Sequence, residues 1–163
     1  MAADKVMELR VPASAQEWDA VRNLMREYAS QLGVDLCFQG FETELSCLPG
    51  PYAAPRGALL AMHVDDALAG CCALRPLDST AYANACEMKR LYVRPAFRGL
   101  GLGRVLAEAI LDTARQHGYT CVLLDTLSDM ETARALYQNL GFVEIPPYYF
   151  NPISGSHYLK AEL

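Results

Sequence analysis

The sequence predicts an α/β (α+β) fold, a single domain whose mixed sheet of about seven strands is flanked by helices in the order βααβββαβαββ. Three observations carry this. Strand-like and helix-like hydrophobic periods alternate along the chain, glycine or proline falls at the changes of period, and 163 residues is about one domain's length. At that size roughly two thirds of the unfolded surface can be buried, enough for one core. No internal repeat, low-complexity tract or composition shift marks a second unit, so the domain is expected over residues 1–163.

Taken in order, Lys5 to Val11 alternates apolar and charged residues like a half-buried first strand that Pro12 ends. Ser14 and Glu17 form a capping box, and Trp18, Val21, Leu24, Met25, Tyr28 and Leu32 keep helical spacing up to Gly33. Residues 35–48 suggest a second short helix before a Pro-Gly-Pro loop. Ala58–Val64 and Ala67–Leu74, joined by Asp65-Asp66, read as a hairpin. Ala85–Val93 reads as a strand with Glu87, Lys89, Leu91 and Val93 on one face, closed by Pro95. Leu102 to Thr113 has helical period, ended by His117-Gly118, and Cys121–Leu124 is the continuous apolar run of a central strand with Asp125 at its polar end. Ser128 and Glu131 suggest a second capping box for a helix through Leu140, with Gly141 as its cap. Two further strand-like pieces follow, separated by the aromatic, proline-containing loop Pro146–Asn151.

Composition excludes several function classes. The chain is 52% apolar and 20% charged, as a globular protein is, and no apolar run approaches the ~20 residues of a membrane helix. The N-terminus carries no secretory pattern, so a cytoplasmic location is expected, with no membrane partner. The six cysteines show neither a C-x-x-C pair nor a companion histidine spacing, so buried free thiols are expected and no metal. A net charge of −5 argues against nucleic acid as a partner. Yet Lys89 to Arg104 holds five basic residues and no acid, which suggests a local, phosphate-sized anion.

Arg98-Gly99-Leu100-Gly101-Leu102-Gly103-Arg104 joins a strand to a helix. Backbone N–H groups of such a loop converge with the helix N-terminus on one spot and favour negative charge there, and alternate glycines admit a bulky anion to the main chain. Arg98 and Arg104 can add charge-assisted bonds to phosphate oxygens. A dinucleotide fingerprint fits less well, because the third glycine of G-x-G-x-x-G is missing and five residues separate the strand from the first glycine. A nucleoside-triphosphate loop lacks its Gly-Lys-Ser/Thr, and an ordinary glycine-rich turn stays open.

At these residues the chain resembles the GNAT superfamily of N-acetyltransferases, whose signature Arg/Gln-x-x-Gly-x-Gly/Ala is matched by Arg98 to Gly103. Lys89 to Pro95 looks like that family's fourth strand, and Ala133-x-x-Leu136-Tyr137-x-x-x-Gly141-Phe142 like its second coenzyme motif. The resemblance spans Glu87 to Phe142. It implies a twisted, mostly antiparallel sheet with splayed fourth and fifth strands, acetyl-coenzyme A as cosubstrate, and acetyl transfer to a primary amine of a small molecule by direct attack. A protein or peptide acceptor and a non-catalytic acyl-coenzyme A-binding module stay open beside it.

On the same resemblance, Leu91, Tyr92 and Val93 would pair with the pantetheine amides, and Arg98 to Arg104 would hold the pyrophosphate. Tyr137 would protonate the leaving thiolate. Glu87 would accept the amine proton, usually through water, looking into the cleft from the same strand face as Leu91. Tyr148 and Tyr149 resemble substrate-pocket aromatics. Met130 departs from the family's frequent asparagine, and a homodimer is possible.

Overall fold

The structure, a computed structural model, describes residues 4–33, 36, 40–128 and 130–163. Its strands are β1 (Met7–Arg10), β2 (Ala58–Val64), β3 (Ala67–Leu77), β4 (Ala85–Val93), β5 (Cys121–Leu127), β6 (Val143–Ile145) and β7 (Ser156–Glu162). Helices α1 (Ala15–Leu32) and α2 (Phe41–Ser46) precede β2, α3 (Leu102–Gln116) joins β4 to β5, and α4 (Glu131–Asn139) joins β5 to β6. The order is the βααβββαβαββ read from the sequence. The strands form one sheet ordered β1-β2-β3-β4-β5-β7-β6, in which only β4 and β5 run parallel.

Each face of the sheet buries its own cluster. On one side α3 lays Leu102, Leu106, Ile110 and Ala114 against Cys72, Leu74, Met88 and Val122. On the other, α1 and α2 pack Val21, Met25, Phe41 and Leu45 against Leu59, Ala61 and Ala73. The capping box of α1 forms as read: the Glu17 N–H donates to Ser14 Oγ at 3.1 Å, the Ser14 N–H donates to Glu17 at 3.2 Å, and Gly33 ends the helix in the left-handed region.

Four local expectations are corrected. β1 is an edge strand with Met7 and Leu9 exposed, because only β2 pairs with it and neither face is covered. The helix expected within residues 35–48 is confined, among the described residues, to Phe41–Ser46. The N-cap of α4 is Met130, with no side-chain cap; Ser128 Oγ instead bonds Gly155 O at 2.9 Å and His157 Nε2 at 2.7 Å, tying β5 to β7. Cys47 is exposed, while Cys71, Cys72, Cys86 and Cys121 are buried free thiols.

Candidate active site

β4 pairs with β5 only at Ala85–Cys121, Cys86–Val122 and Glu87–Leu123. Beyond Glu87 and Leu123 the two strands part, so the β5-facing edge of β4 at Leu91, Tyr92 and Val93 has backbone groups without a strand partner. A bulge in β4 sharpens the separation. Tyr92 pairs with Cys71 and Lys89 with Ala73, so Arg90 and Leu91 together oppose Cys72, and Arg90 takes the left-handed φ of 59°. The bulge flips the side-chain alternation. Leu91 and Val93 pack toward α3 beside Met88, whereas Tyr92 packs on Leu24 and Cys71. The expected common face of Glu87 and Leu91 is therefore broken between them.

Gly70 makes the bulge possible, since a Cβ there would stand 2.4 Å from Tyr92 O.

The parted strands open into a cleft of about 650 Å³ lined by Leu91–Val93, the glycine loop, the start of α4 and Tyr137. At its floor α3 begins at Gly101, whose φ of 75° puts it in the left-handed region and which supplies no capping side chain. The first amides of α3 are thus uncapped and point at the cleft. A Cβ at Gly99 or Gly101 would meet nothing within 4 Å, so the loop faces open space at both glycines.

The basic window does not pool at this loop. Arg90 is buried and pairs through two bonds of 2.9 and 3.0 Å with Glu44. Arg94 binds Glu27 and Leu68 O, both at 2.8 Å. Arg98 donates from Nε to Val93 O at 3.1 Å and from its terminal nitrogen to Gln31 at 3.1 Å, and Arg104 Nε binds Glu108 at 2.8 Å. Only Arg98 and Arg104 of the five lie on the large cleft, because strand alternation and the bulge send the others elsewhere.

A second, narrow cavity of about 60 Å³ lies between β4, β5 and α1, with Lys89, Leu124, Asp125 and Asn151 in its walls. Tyr28, Met130 and Tyr137 border both cavities. The Tyr137 ring is buried against Phe142, and its hydroxyl has no hydrogen-bond partner among the described residues. Burial, the largest influence, pushes its phenol well above the usual tyrosine range.

Glu87 borders neither cavity. It is 1% exposed, one oxygen takes Arg75 Nε at 2.8 Å and the other the Tyr148 hydroxyl at 2.6 Å, with Lys89 Nζ 3.8 Å away. Asp125, at the polar end of the apolar β5 run, borders the narrow cavity and accepts bonds from Tyr149 and Asn151. Its position just past an apolar strand run was the available signal. Burial is the main cause that pulls the Lys89 ammonium down and pushes the Tyr148 and Tyr149 phenols up. Burial also pushes the Cys71 and Cys86 thiols up to about 12, which keeps them protonated and unreactive. Among the described residues no group of three or more His, Cys, Asp and Glu side chains could hold a metal, and no helix is long and apolar enough to cross a membrane.

The sheet thus splits beside a glycine-rich helix start that carries no capping side chain. The model of the acetyltransferase (GNAT) family matches residues 18–142. An uncharacterized N-acetyltransferase of Schizosaccharomyces pombe is 38% identical over 149 residues, covering 91% of this chain and 90% of that one. Among solved structures, a GNAT-family acetyltransferase from Staphylococcus aureus superposes with a TM-score of 0.78 at 17% identity, covering 96% and 99% of the two chains. PaiA N-acetyltransferase from Thermoplasma acidophilum, in complex with coenzyme A, superposes at 0.72 and 15% identity, covering 97% and 99%. The chain belongs to the GNAT family of acetyl-coenzyme A-dependent N-acetyltransferases.

Proposed function

We propose that the chain transfers the acetyl group of acetyl-coenzyme A to the primary amine of a small molecule by direct attack. The observation that carries this is Tyr137, which stands where the coenzyme-sized cleft meets the narrow cavity. One cavity, about 650 Å³, is lined by the open edge of β4 and the glycine loop; the other, about 60 Å³, has room only for a compact group, which favours a small acceptor over a folded protein surface.

Acetyl-coenzyme A supplies the thioester carbonyl and the leaving sulfur. The uncapped amides of Leu102 and Gly103, with Arg98, Gly99, Leu100, Gly101 and Arg104 around them, hold the pyrophosphate. The open edge of β4 at Leu91, Tyr92 and Val93 pairs with the pantetheine amides, as a strand pairs with an added strand. Tyr137 donates its phenolic proton to the departing sulfur. Burial keeps that phenol protonated, and a thiolate formed in the same dry place is made more basic by the same burial, so donor and acceptor stay matched. Glu87 serves as a positioning residue that anchors Tyr148 and Arg75 beneath the narrow cavity.

The test combines acetyl-coenzyme A titration by calorimetry with an acetylation panel of free amino acids, diamines, arylalkylamines and lysine-bearing peptides. Wild type should bind the cosubstrate and acetylate a free amine in preference to the peptides. Tyr137→Phe should lower kcat about 100-fold, the usual worth of a positioned acid, with affinity for acetyl-coenzyme A unchanged. Peptide turnover alone would move the acceptor to protein, and binding without any turnover would make the chain a sensor.

A further inference from the structure

We infer that Asp125 is the carboxylate that receives the acceptor's ammonium group and takes the first proton from it, with Tyr149 and Asn151 positioning it. This rests on the acetyl-transfer reading above and names the side chain that prepares its nucleophile.

The inference starts from the split in the sheet. Leu123 is the last residue of β5 paired to β4, and Asp125 is the next residue on that same face, directly past the opening. Lys89 occupies the equivalent place on β4, two residues past Glu87. Asp125 therefore borders the narrow cavity together with Tyr137, and an amine resting on it lies on the side of Tyr137 away from the glycine loop.

The two oxygens of Asp125 differ. Oδ2 accepts both the Tyr149 hydroxyl and Asn151 Nδ2, the latter at 2.9 Å, and no described residue donates to Oδ1. Asn151 is itself held, since its Oδ1 accepts the Ile153 N–H at 2.9 Å. One oxygen is pinned and the other is presented. Glu87 shows the opposite arrangement, with both oxygens engaged by Arg75 and Tyr148 and almost no exposure. A carboxylate with both oxygens engaged supports structure; one with an open oxygen at a cavity wall can take a proton.

The chemistry balances with groups already named. The acceptor arrives as an ammonium ion and passes one proton to Oδ1 of Asp125, which later releases it to solvent. The freed nitrogen lone pair forms the new C–N bond to the thioester carbon while the carbonyl π pair moves to oxygen. That pair then returns, the C–S bond breaks, and the sulfur takes the Tyr137 proton. Tyr137 regains a proton from the new amide nitrogen through water, so one proton leaves per turnover. Facing Asp125 are Lys89 from β4, Tyr28 from α1, Tyr137 from α4, Tyr148 and Tyr149 from the β6–β7 loop and Tyr158 from β7; Arg90 across the cavity is tied to Glu44. The tyrosines are all pushed up chiefly by burial, and the Asp125 charge adds to that.

The test measures kcat/KM against pH for wild type, Asp125→Asn, Asp125→Glu, Tyr149→Phe and Glu87→Gln, using the free amine of the panel that wild type acetylates fastest. Asp125→Asn should lower kcat/KM about 100-fold and flatten the acid limb, while acetyl-coenzyme A affinity by calorimetry stays as in wild type. Asp125→Glu should recover part of the loss. Tyr149→Phe should cost about 10-fold, the worth of one hydrogen bond to a charged group. Glu87→Gln should keep the wild-type profile shape. An Asp125→Asn profile that overlays wild type, or an acid limb lost in Glu87→Gln instead, overturns the assignment and leaves acetyl transfer standing. Loss of acetyl-coenzyme A binding in both Asp125 variants overturns it as well, by making the residue structural. If wild type acetylates no amine in the panel, the acetyl-transfer reading falls and this one with it.

Discussion

The two halves of the site are built from different materials. The proposed coenzyme half is main chain: the open edge of β4, two glycines with positive φ and the uncapped start of α3, contributed by one run from Leu91 to Arg104. The proposed acceptor half is side chain, drawn from α1, β4, β5 and the β6–β7 loop and backed by three separate pairs, Arg90–Glu44, Tyr148–Glu87 and Tyr149–Asp125. A main-chain site needs only permissive residues at a few positions and tolerates change elsewhere. A side-chain site needs every member present, because removing one strands its partner in a poorly solvated place.

Three further measurements test that contrast. The largest effect is expected on the acceptor side. Arg90 and Glu44 are 3% and 11% exposed in their side chains, so Glu44→Gln leaves a buried guanidinium short of its counter-charge and should cost about 3–5 kcal/mol by denaturant unfolding. The double variant Glu44→Leu with Arg90→Met should recover most of that loss; if both variants lose equally, the pair is not acting as a unit. Next in size, Gly101→Glu forces a Cβ-bearing residue into the left-handed region, about 1–2 kcal/mol, and sets a carboxylate at the proposed pyrophosphate site. Acetyl-coenzyme A affinity should fall about 100-fold while the fold survives, and full binding would remove the loop from the coenzyme site.

The smallest and most graded effect is alkaline. Tyr28, Tyr52, Tyr137, Tyr148 and Tyr149 all have phenols pushed above their ordinary value of 10, in each case first by burial. The folded chain then keeps protons that the unfolded chain gives up near pH 10, so their stability contribution is complete below that pH and is lost as pH rises past it. Denaturant midpoints should hold between about pH 7 and 9 and fall above about 10. Hydrogen exchange at the higher pH should open α1 and the β6–β7 loop before α3; the reverse order would place the weak side of the molecule at the coenzyme loop.

Much of this was legible in the residues. The element order, the capping box at Ser14, the hairpin turn at Asp65-Asp66 and the glycine loop before α3 are local, each fixed by a handful of neighbours in the chain. What escaped was what depends on pairing across the sheet. The bulge at Arg90 is set by how β3 meets β4, and it undid the expected common face of Glu87 and Leu91. Ser128 looked like a helix cap but is drawn to Gly155 and His157 by the β5–β7 pairing.

Where the backbone could bend, where it could bare its amides and which face of each helix would be buried follow from side-chain volume, charge and φ freedom over a few residues, so the chain carries them locally. Which carboxylate stands open and which is clamped depends instead on the assembled sheet. Glu87 and Asp125 carry the same chemistry on adjacent strands, and their difference comes from donors brought in from β3 and from a loop after β6. Such long-range hydrogen bonds leave no local pattern in the chain.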